Sequence, residues 1–319
     1  MIEKIFLFLS ETQNRIFIFQ PLYSEAEKMI SINPTKCTKC GFCIDECPSY
    51  VFALASTAGG AKEIKVRYPE QCCLCGHCIA ICPEVAISHE EMPVERFEPL
   101  PGVKIPSEQM KTFLLSRRSI RAFKENPVPK EHLKQLIEAG VNAGTSSNGQ
   151  TEYFVVIQDR KLLTELEQIV IEVLWKAGLK YLGGSIGYKL AKIKFGDEMV
   201  RQSLHYHHMI KNRKKNNQLE GMIFRNAPVV IVSHGLRNNF LAHTNCAIAL
   251  RNMEILARTM DLGTCFAGFL SAAAQYSNKI SKYLGISADR NVYGAIMVGY
   301  PKHEYKKNIP RKNREVRWI

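Results

Sequence analysis

Apolar residues recur at helical spacing through much of the chain. Met110, Phe113 and Leu114 share one face of a segment capped by Ser107, and Leu133, Leu136, Ile137 and Gly140 form a stripe on a helix over residues 130–143. Leu162, Leu163, Leu166, Ile169, Val170, Val173 and Leu174 repeat in the same way, and a more polar helix is predicted over residues 197–215. The clearest amphipathic pattern is Cys246, Ala249, Met253, Leu256 and Met260, whose Met-bearing stripe reads as core or subunit contact and ends at Gly263. Strands are predicted over residues 152–158, 227–234 and 292–300, with a short helix over 278–284 between the last two. Residues 5–9 and 16–19 are apolar pieces separated by Glu11, Gln13, Asn14 and Arg15, short enough to pair as two strands; Met29 offers an alternative start.

This pattern divides the chain. Residues 1–28 form an extension, 29–92 a small cysteine-rich module, 93–106 a linker and 107–319 the main domain. The linker carries Pro93, Pro99, Pro101 and Pro106, which stiffen it and hold the module in a defined place. No apolar run approaches the roughly 20 residues that cross a membrane, and no secretory signal is evident, so the expected location is the cytoplasm, with no membrane contact. The formal charge of +13 raises the question of nucleic acid. Residues 33–91, however, hold five Lys or Arg against seven acids, and the surplus lies at Lys211 to Lys215 and along the tail after Lys302. No nucleic-acid-binding motif accompanies it, so a solvated basic face or an acidic protein partner is expected instead, and no nucleic acid.

Chemistry enters with the cysteines. Cys37, Cys40, Cys43 and Cys47-Pro48 read as Cys-x2-Cys-x2-Cys-x3-Cys-Pro, and Cys72, Cys75, Cys78 and Cys82-Pro83 repeat it. Three thiolates from one loop grip one cubane, and the fourth reaches the neighbouring cluster. The expectation is therefore crossed: Cys37, Cys40, Cys43 and Cys82 hold one [4Fe-4S] cluster, and Cys72, Cys75, Cys78 and Cys47 the other. Zinc knuckles would leave the third Cys and the x3-Cys-Pro unexplained. Disulfides fit poorly with eleven cysteines, three of them (Cys73, Cys246, Cys265) outside the motif, where Cys73 reads as a bystander. The module resembles the two-cluster bacterial ferredoxin.

Downstream, Arg117-Arg118-Ser119-Ile120-Arg121-Ala122-Phe123 concentrates guanidinium groups and a hydroxyl, and a polar loop follows at Thr145, Ser146, Ser147, Asn148 and Gln150. With the 226–232 run, Leu262-Gly263-Thr264-Cys265-Phe266-Ala267-Gly268-Phe269 and Gly299-Tyr300-Pro301, these motifs occur in the order of the FMN-dependent nitroreductase family, which residues 107–319 resemble. The resemblance implies an α+β fold, a mixed sheet wrapped by helices behind a small bacterial-ferredoxin-like domain, with FMN between the subunits of a homodimer. It also implies that Arg117 and Ser119 bind the flavin phosphate, with Arg118 beside them, and that Arg121 lies near the pyrimidine edge. Arg forks match phosphate oxygens, and a cation stabilises an anionic reduced flavin. Thr145, Ser146, Ser147, Asn148 and Gln150 would hydrogen-bond the ribityl chain and ring, backbone near Ala267 and Gly268 would approach the flavin, and Arg311 would be a late phosphate ligand, with Arg314 in reserve. The loop departs from the family in Gly144, often Pro there, and in Thr151-Glu152, often Pro-Trp.

The implied function is that of an oxidoreductase passing electrons between two [4Fe-4S] clusters and FMN to a small organic acceptor, such as a nitroaromatic, a quinone or an activated alkene. Ferredoxin or NAD(P)H would be the donor, and no side-chain acid is singled out as catalytic. Alternatives are an electron-transfer protein oxidising NAD(P)H at FMN and delivering through its clusters to a ferredoxin-like partner, a reductive dehalogenase or other specialised flavin enzyme, and a non-enzymatic cluster-bearing regulator. Gly183 to Gly187 lacks the spacing of a dinucleotide fingerprint. His205 and His208 share a helix face without a third metal ligand at the usual spacing, which leaves a pocket wall or wet surface as their expected role.

Overall fold

The computed structural model describes residues 29–57, 59–179 and 184–319. The expected strand pair in residues 1–28, and Gly183, lie outside them. The chain divides into two compact units, Met1–Gly102 and Val103–Ile319.

In the first unit, β1 (Ile30–Ile32) pairs antiparallel with β4 (Ile87–His89), and β2 (Phe52–Ser56) with β3 (Lys62–Val66). Two single-turn helices, α1 (Phe42–Asp45) and α2 (His77–Ala80), each follow a cysteine loop. The halves repeat in backbone as well as sequence: Lys39, Gly41 and Tyr50 have positive φ in the first, Leu74, Gly76 and Val85 in the second. Gly41 (φ 84) and Gly76 (φ 73) sit where each loop turns into its helix, a conformation that penalises a Cβ. Ile30, Val51, Phe52, Ile64, Ile79 and Ile87 form a small core with Cys37, Cys43, Cys47, Cys72 and Cys78 packed against it.

The second unit is layered. A sheet of order β5-β6-β8-β7 comprises Glu152–Ile157, Val229–Leu236, Arg290–Gly299 and Gly263–Phe266, each strand antiparallel to its neighbour. Its parallel component is the bridge from Ser119 to Thr264 beside β7. Both faces are buried, so side chains on β6 alternate between two cores. Val229 and Ile231 pack with Leu136, Leu250 and Met253 from α4 (Lys130–Val141) and α8 (Ala242–Ala257). Val230 and Val232 pack with Leu166, Val170 and Leu270 from α5 (Arg160–Leu179) and α9 (Gly268–Tyr276).

Three more helices belong to this unit: α3 (Ser107–Leu115), α6 (Gly184–Phe195) and α7 (Asp197–Lys215), while α10 (Lys279–Tyr283) is a short turn before β8. Ser107 is the first helical residue of α3, with Pro106 at the cap and no side-chain cap bond, which corrects the expected role of Ser107. β6 starts at Val229, after Arg225 and Asn226 at φ 54 and after Pro228, which has no N–H for a ladder.

The segment carrying the arginines runs along the sheet edge. Ile120 N–H donates to Thr264 O (2.8 Å), Lys124 N–H to Tyr300 O (2.8 Å) and Lys302 N–H to Ala122 O (2.9 Å). Gly263 makes this approach possible, because a Cβ there would lie 2.5 Å from Ile120 Cγ1.

Candidate functional site

In the first unit the eight motif cysteines gather in the crossed combination. Cys37, Cys40, Cys43 and Cys82 line one small cavity with Ile32, Ile64 and Ile87. Cys47, Cys72, Cys75 and Cys78 line a second with Ile30, Val51 and Phe52. The sulfurs of Cys47 and Cys82 each accept a backbone N–H, from Val51 (3.3 Å) and Ala86 (3.2 Å), matching the repeat. Among the described residues no three Cys, His, Asp or Glu side chains converge tightly enough to hold one ion; each thiol set surrounds a cavity instead.

Electrostatics fit a cationic filling. Burial pushes the Cys43 thiol up to about 11 and the Cys78 thiol up to about 12, and neighbouring thiolates of the same set push further, Cys37, Cys40 and Cys82 on Cys43, and Cys72, Cys75 and Cys47 on Cys78. Thiolates crowded together in partly buried places need positive charge among them, and an iron–sulfur centre would supply it. Cys73, outside the motif, also lines the second cavity and shares a hydrogen bond with Cys75. His89, buried on β4, also touches this set, its Nε2 lying 3.9 Å from Cys72 Sγ.

In the second unit Arg117 is positioned by a group the sequence did not single out. Its Nη1 donates to Glu254 Oε1 at 3.0 Å, and Glu254 is 3 % exposed on α8. Glu254 also receives Thr264 Oγ1–H (3.3 Å) and the Arg251 guanidinium, so one buried carboxylate ties the arginine segment, α8 and β7 together. A charged residue beside the buried Leu250 and Met253 was the available signal. Arg117 Nη1 also lies 3.4 Å from Ser119 Oγ.

Arg117 and Arg118 line a cleft of about 730 Å³ with Lys124, Arg258, Lys302, Lys306 and Lys307. Arg258 has its pKa lowered by burial and by Arg118 and Arg117, and Glu254, Asp261 and Glu304 on the same lining leave the cations in excess. Arg118 Nη2 holds Asn308 Oδ1 at 2.8 Å, while its Nε is buried with no partner among the described atoms. An anion with several acceptor oxygens suits this set.

Arg121 is exposed and lies on the side of Cys265. Burial pushes the Cys265 thiol up, while Arg121, Ser119 and Arg225 pull it down. Arg225, a second cation there, was not anticipated. Ala267 is buried with its N–H bonded to Ala295 O (2.8 Å), whereas a Cβ on Gly268 would meet nothing within 4 Å. Arg311 and Arg314 are exposed in the tail, and neither lines the cleft.

The polar loop is strained. Ser147, Asn148 and Gln150 all have positive φ (50, 52 and 44), unusual for residues with a Cβ and a common mark of a binding loop. Gln150 N–H donates to Thr145 Oγ1 (3.1 Å), and Gln150 Nε2 to Asn148 Oδ1 (3.0 Å). Ser146 N–H donates to Asn245 Oδ1 (3.4 Å), and Asn245 Nδ2 is buried without a partner among the described atoms. Asn245 and Glu254 are nine residues apart on α8, about 13 Å at 1.5 Å per residue. Within one chain the loop and the arginine segment are therefore anchored toward opposite ends of one helix.

On α7 His205 and His208 are exposed, while His207 is buried and stacked on Trp175 at 4.1 Å. Gly184 opens α6.

A model described as "Nitroreductase family" matches residues 114–300, and one described as "4Fe-4S dicluster domain" matches residues 36–86. An NADPH-dependent oxidoreductase from Staphylococcus saprophyticus is 40% identical over 63 residues, 20% of this chain and only 25% of that relative's length. Among solved structures, a nitroreductase with bound FMN from Bacteroides fragilis is 18% identical, with a TM-score of 0.48 over 66% of this chain and 98% of its own. A nitroreductase with bound FMN from Desulfitobacterium hafniense is 19% identical, with a TM-score of 0.48 over 67% and 100%.

Proposed function

The chain belongs to the nitroreductase family, and from that premise we propose that it is an FMN-dependent oxidoreductase exchanging electrons between two [4Fe-4S] clusters and a small organic acceptor. The observation that carries this reading is the pair of four-thiol cavities, Cys37, Cys40, Cys43, Cys82 and Cys47, Cys72, Cys75, Cys78, encoded ahead of a cleft lined by an excess of arginines and lysines in one chain. Flavin chemistry links one-electron iron–sulfur centres to acceptors reduced by pairs of electrons.

The residues present fit the groups. Arg117, oriented by Glu254, and Arg118 with its unpartnered Nε suit a terminal phosphate, with Ser119 adding a hydroxyl. Arg121 places positive charge where reduction builds negative charge. The Thr145–Gln150 turn, with Ser146, Ser147 and Asn148, offers hydroxyls and amides to a polyol and a ring edge. Open space at Gly268 suits a flat ring in close approach. Because the loop and the arginine segment are anchored toward opposite ends of α8, a second copy supplying one of them would complete the site, which favours a homodimer. Arg311, exposed in the tail, is the late phosphate ligand of this reading. The setting is a cytoplasm that keeps thiolates reduced.

Stopped-flow reduction under anaerobic conditions tests the direction. With reduced ferredoxin as donor, cluster absorbance should bleach before flavin absorbance, and a nitroaromatic or quinone should reverse both. Flavin reduction by NAD(P)H ahead of the clusters would instead make the iron–sulfur module the exit toward a protein acceptor. If neither donor reduces either chromophore, both directions are refuted.

A further inference from the structure

The cysteine module repeats at an offset of thirty-five positions, from Cys37 and Cys72 through Cys47 and Cys82. Its N–H···S bonds repeat too, Val51 to Cys47 and Ala86 to Cys82, so one falls to each crossed set. His89 breaks the symmetry. Its Nε2 lies 3.9 Å from Cys72 Sγ, and its counterpart at the same offset is Leu54, whose side chain has no hydrogen-bond donor and which is 50 % exposed. His89 itself is 5 % exposed, fixed on β4 by the pairing of β1 with β4.

The hydrogen on His89 can be assigned from its neighbours. Glu91 N–H donates to Nδ1 at 3.1 Å, so Nδ1 is the acceptor nitrogen and Nε2 carries the proton that points at sulfur. An N–H directed at a cluster sulfur stabilises the more electron-rich reduced state, and hydrogen bonds to sulfur are a main lever on cluster potentials.

We propose that His89 is a positioning residue that donates a hydrogen bond to the Cys72 sulfur, raising the potential of the cluster held by Cys47, Cys72, Cys75 and Cys78 above that of its twin. The first electron from a one-electron donor such as reduced ferredoxin would then settle on this cluster, with no proton transferred. Cys73 adds a second asymmetry through Cys75, which the His89 substitution leaves in place.

The inference rests on the cluster reading above, and the test separates the two. Protein labelled with ¹⁵N-histidine is assayed for iron and sulfide, titrated anaerobically by EPR, and examined by pulsed EPR for nitrogen coupling. The expected result is two one-electron steps, with ¹⁵N coupling on the higher one that persists in His77→Gln, a control for the exposed His77 nearby. His89→Phe should shift that step tenfold in its equilibrium, about 59 mV for one electron, and leave the other unmoved. Clusters present without coupling in the parent, or an unmoved step in His89→Phe, would overturn the role of His89. If His89→Phe loses iron, coupling in the parent and in His77→Gln decides alone. A parent without iron and sulfide would sink the cluster reading and this inference with it.

Discussion

Glu254 concentrates the energetics of the second unit in one carboxylate. Buried at 3 % exposure, it holds Arg117, Arg251 and Thr264 together, so Glu254→Ala strands Arg117 among other guanidinium groups. Removing one partner of a buried pair costs about 3 kcal/mol, and calorimetry should show a clear fall in Tm together with loss of FMN. By contrast Ser119→Ala should weaken FMN retention while leaving iron content and Tm near those of the parent, because Ser119 supplies only a hydroxyl. His234 gives a pH signature. Burial, and Arg290 beside it, hold its pKa below the ordinary 6.5, and its ring stacks on Tyr153. The unfolded chain therefore takes up a proton below about pH 6.5 that the folded chain refuses, and stability falls with pH from there down to the folded value. Chemical denaturation at pH 7 and pH 5 should show a smaller loss in His234→Gln than in the parent. The motif cysteines and the arginine segment were legible because their chemistry is carried by type and spacing. Glu254, Arg225 and His89 were not, because each matters through a partner far away in sequence, Arg117, Cys265 or Cys72.

Elements explain why certain small residues cannot change. Gly41 and Gly76 share a left-handed backbone, but a Cβ on Gly76 would also lie 3.0 Å from Phe97 Cε1, whereas one on Gly41 meets nothing within 4 Å. Both Ala variants carry the backbone cost of about 1–2 kcal/mol. Gly76→Ala should also lose iron faster under chelator, and equal rates for the two would contradict the packing argument. Gly263→Val would drive a side chain into Ile120 and pry the arginine segment from β7, so it should lose FMN while the cysteine module keeps its iron. At this scale long periodic segments were read well. The polar helix expected over 197–215 is α7, and the Cys246 stripe is α8, although α8 stops at Ala257 and Met260 falls in a following 3-10 turn. The three-residue strands β1 and β4 carry too few positions to show a period, and are held by register and by the cysteine loops.

At the scale of the whole molecule, one chain joins a 4Fe-4S domain to a nitroreductase-family domain, whose polar loop and arginine segment are anchored toward opposite ends of α8. The proposed homodimer has its own test: sedimentation should give about twice 36.2 kDa. The central claim is compositional, and one assay reaches it directly: iron, acid-labile sulfide, zinc and FMN measured on protein purified without oxygen. The account predicts about eight irons, about eight sulfides and one FMN per chain, with zinc near zero. Zinc without sulfide, or iron and sulfide without flavin, would contradict it.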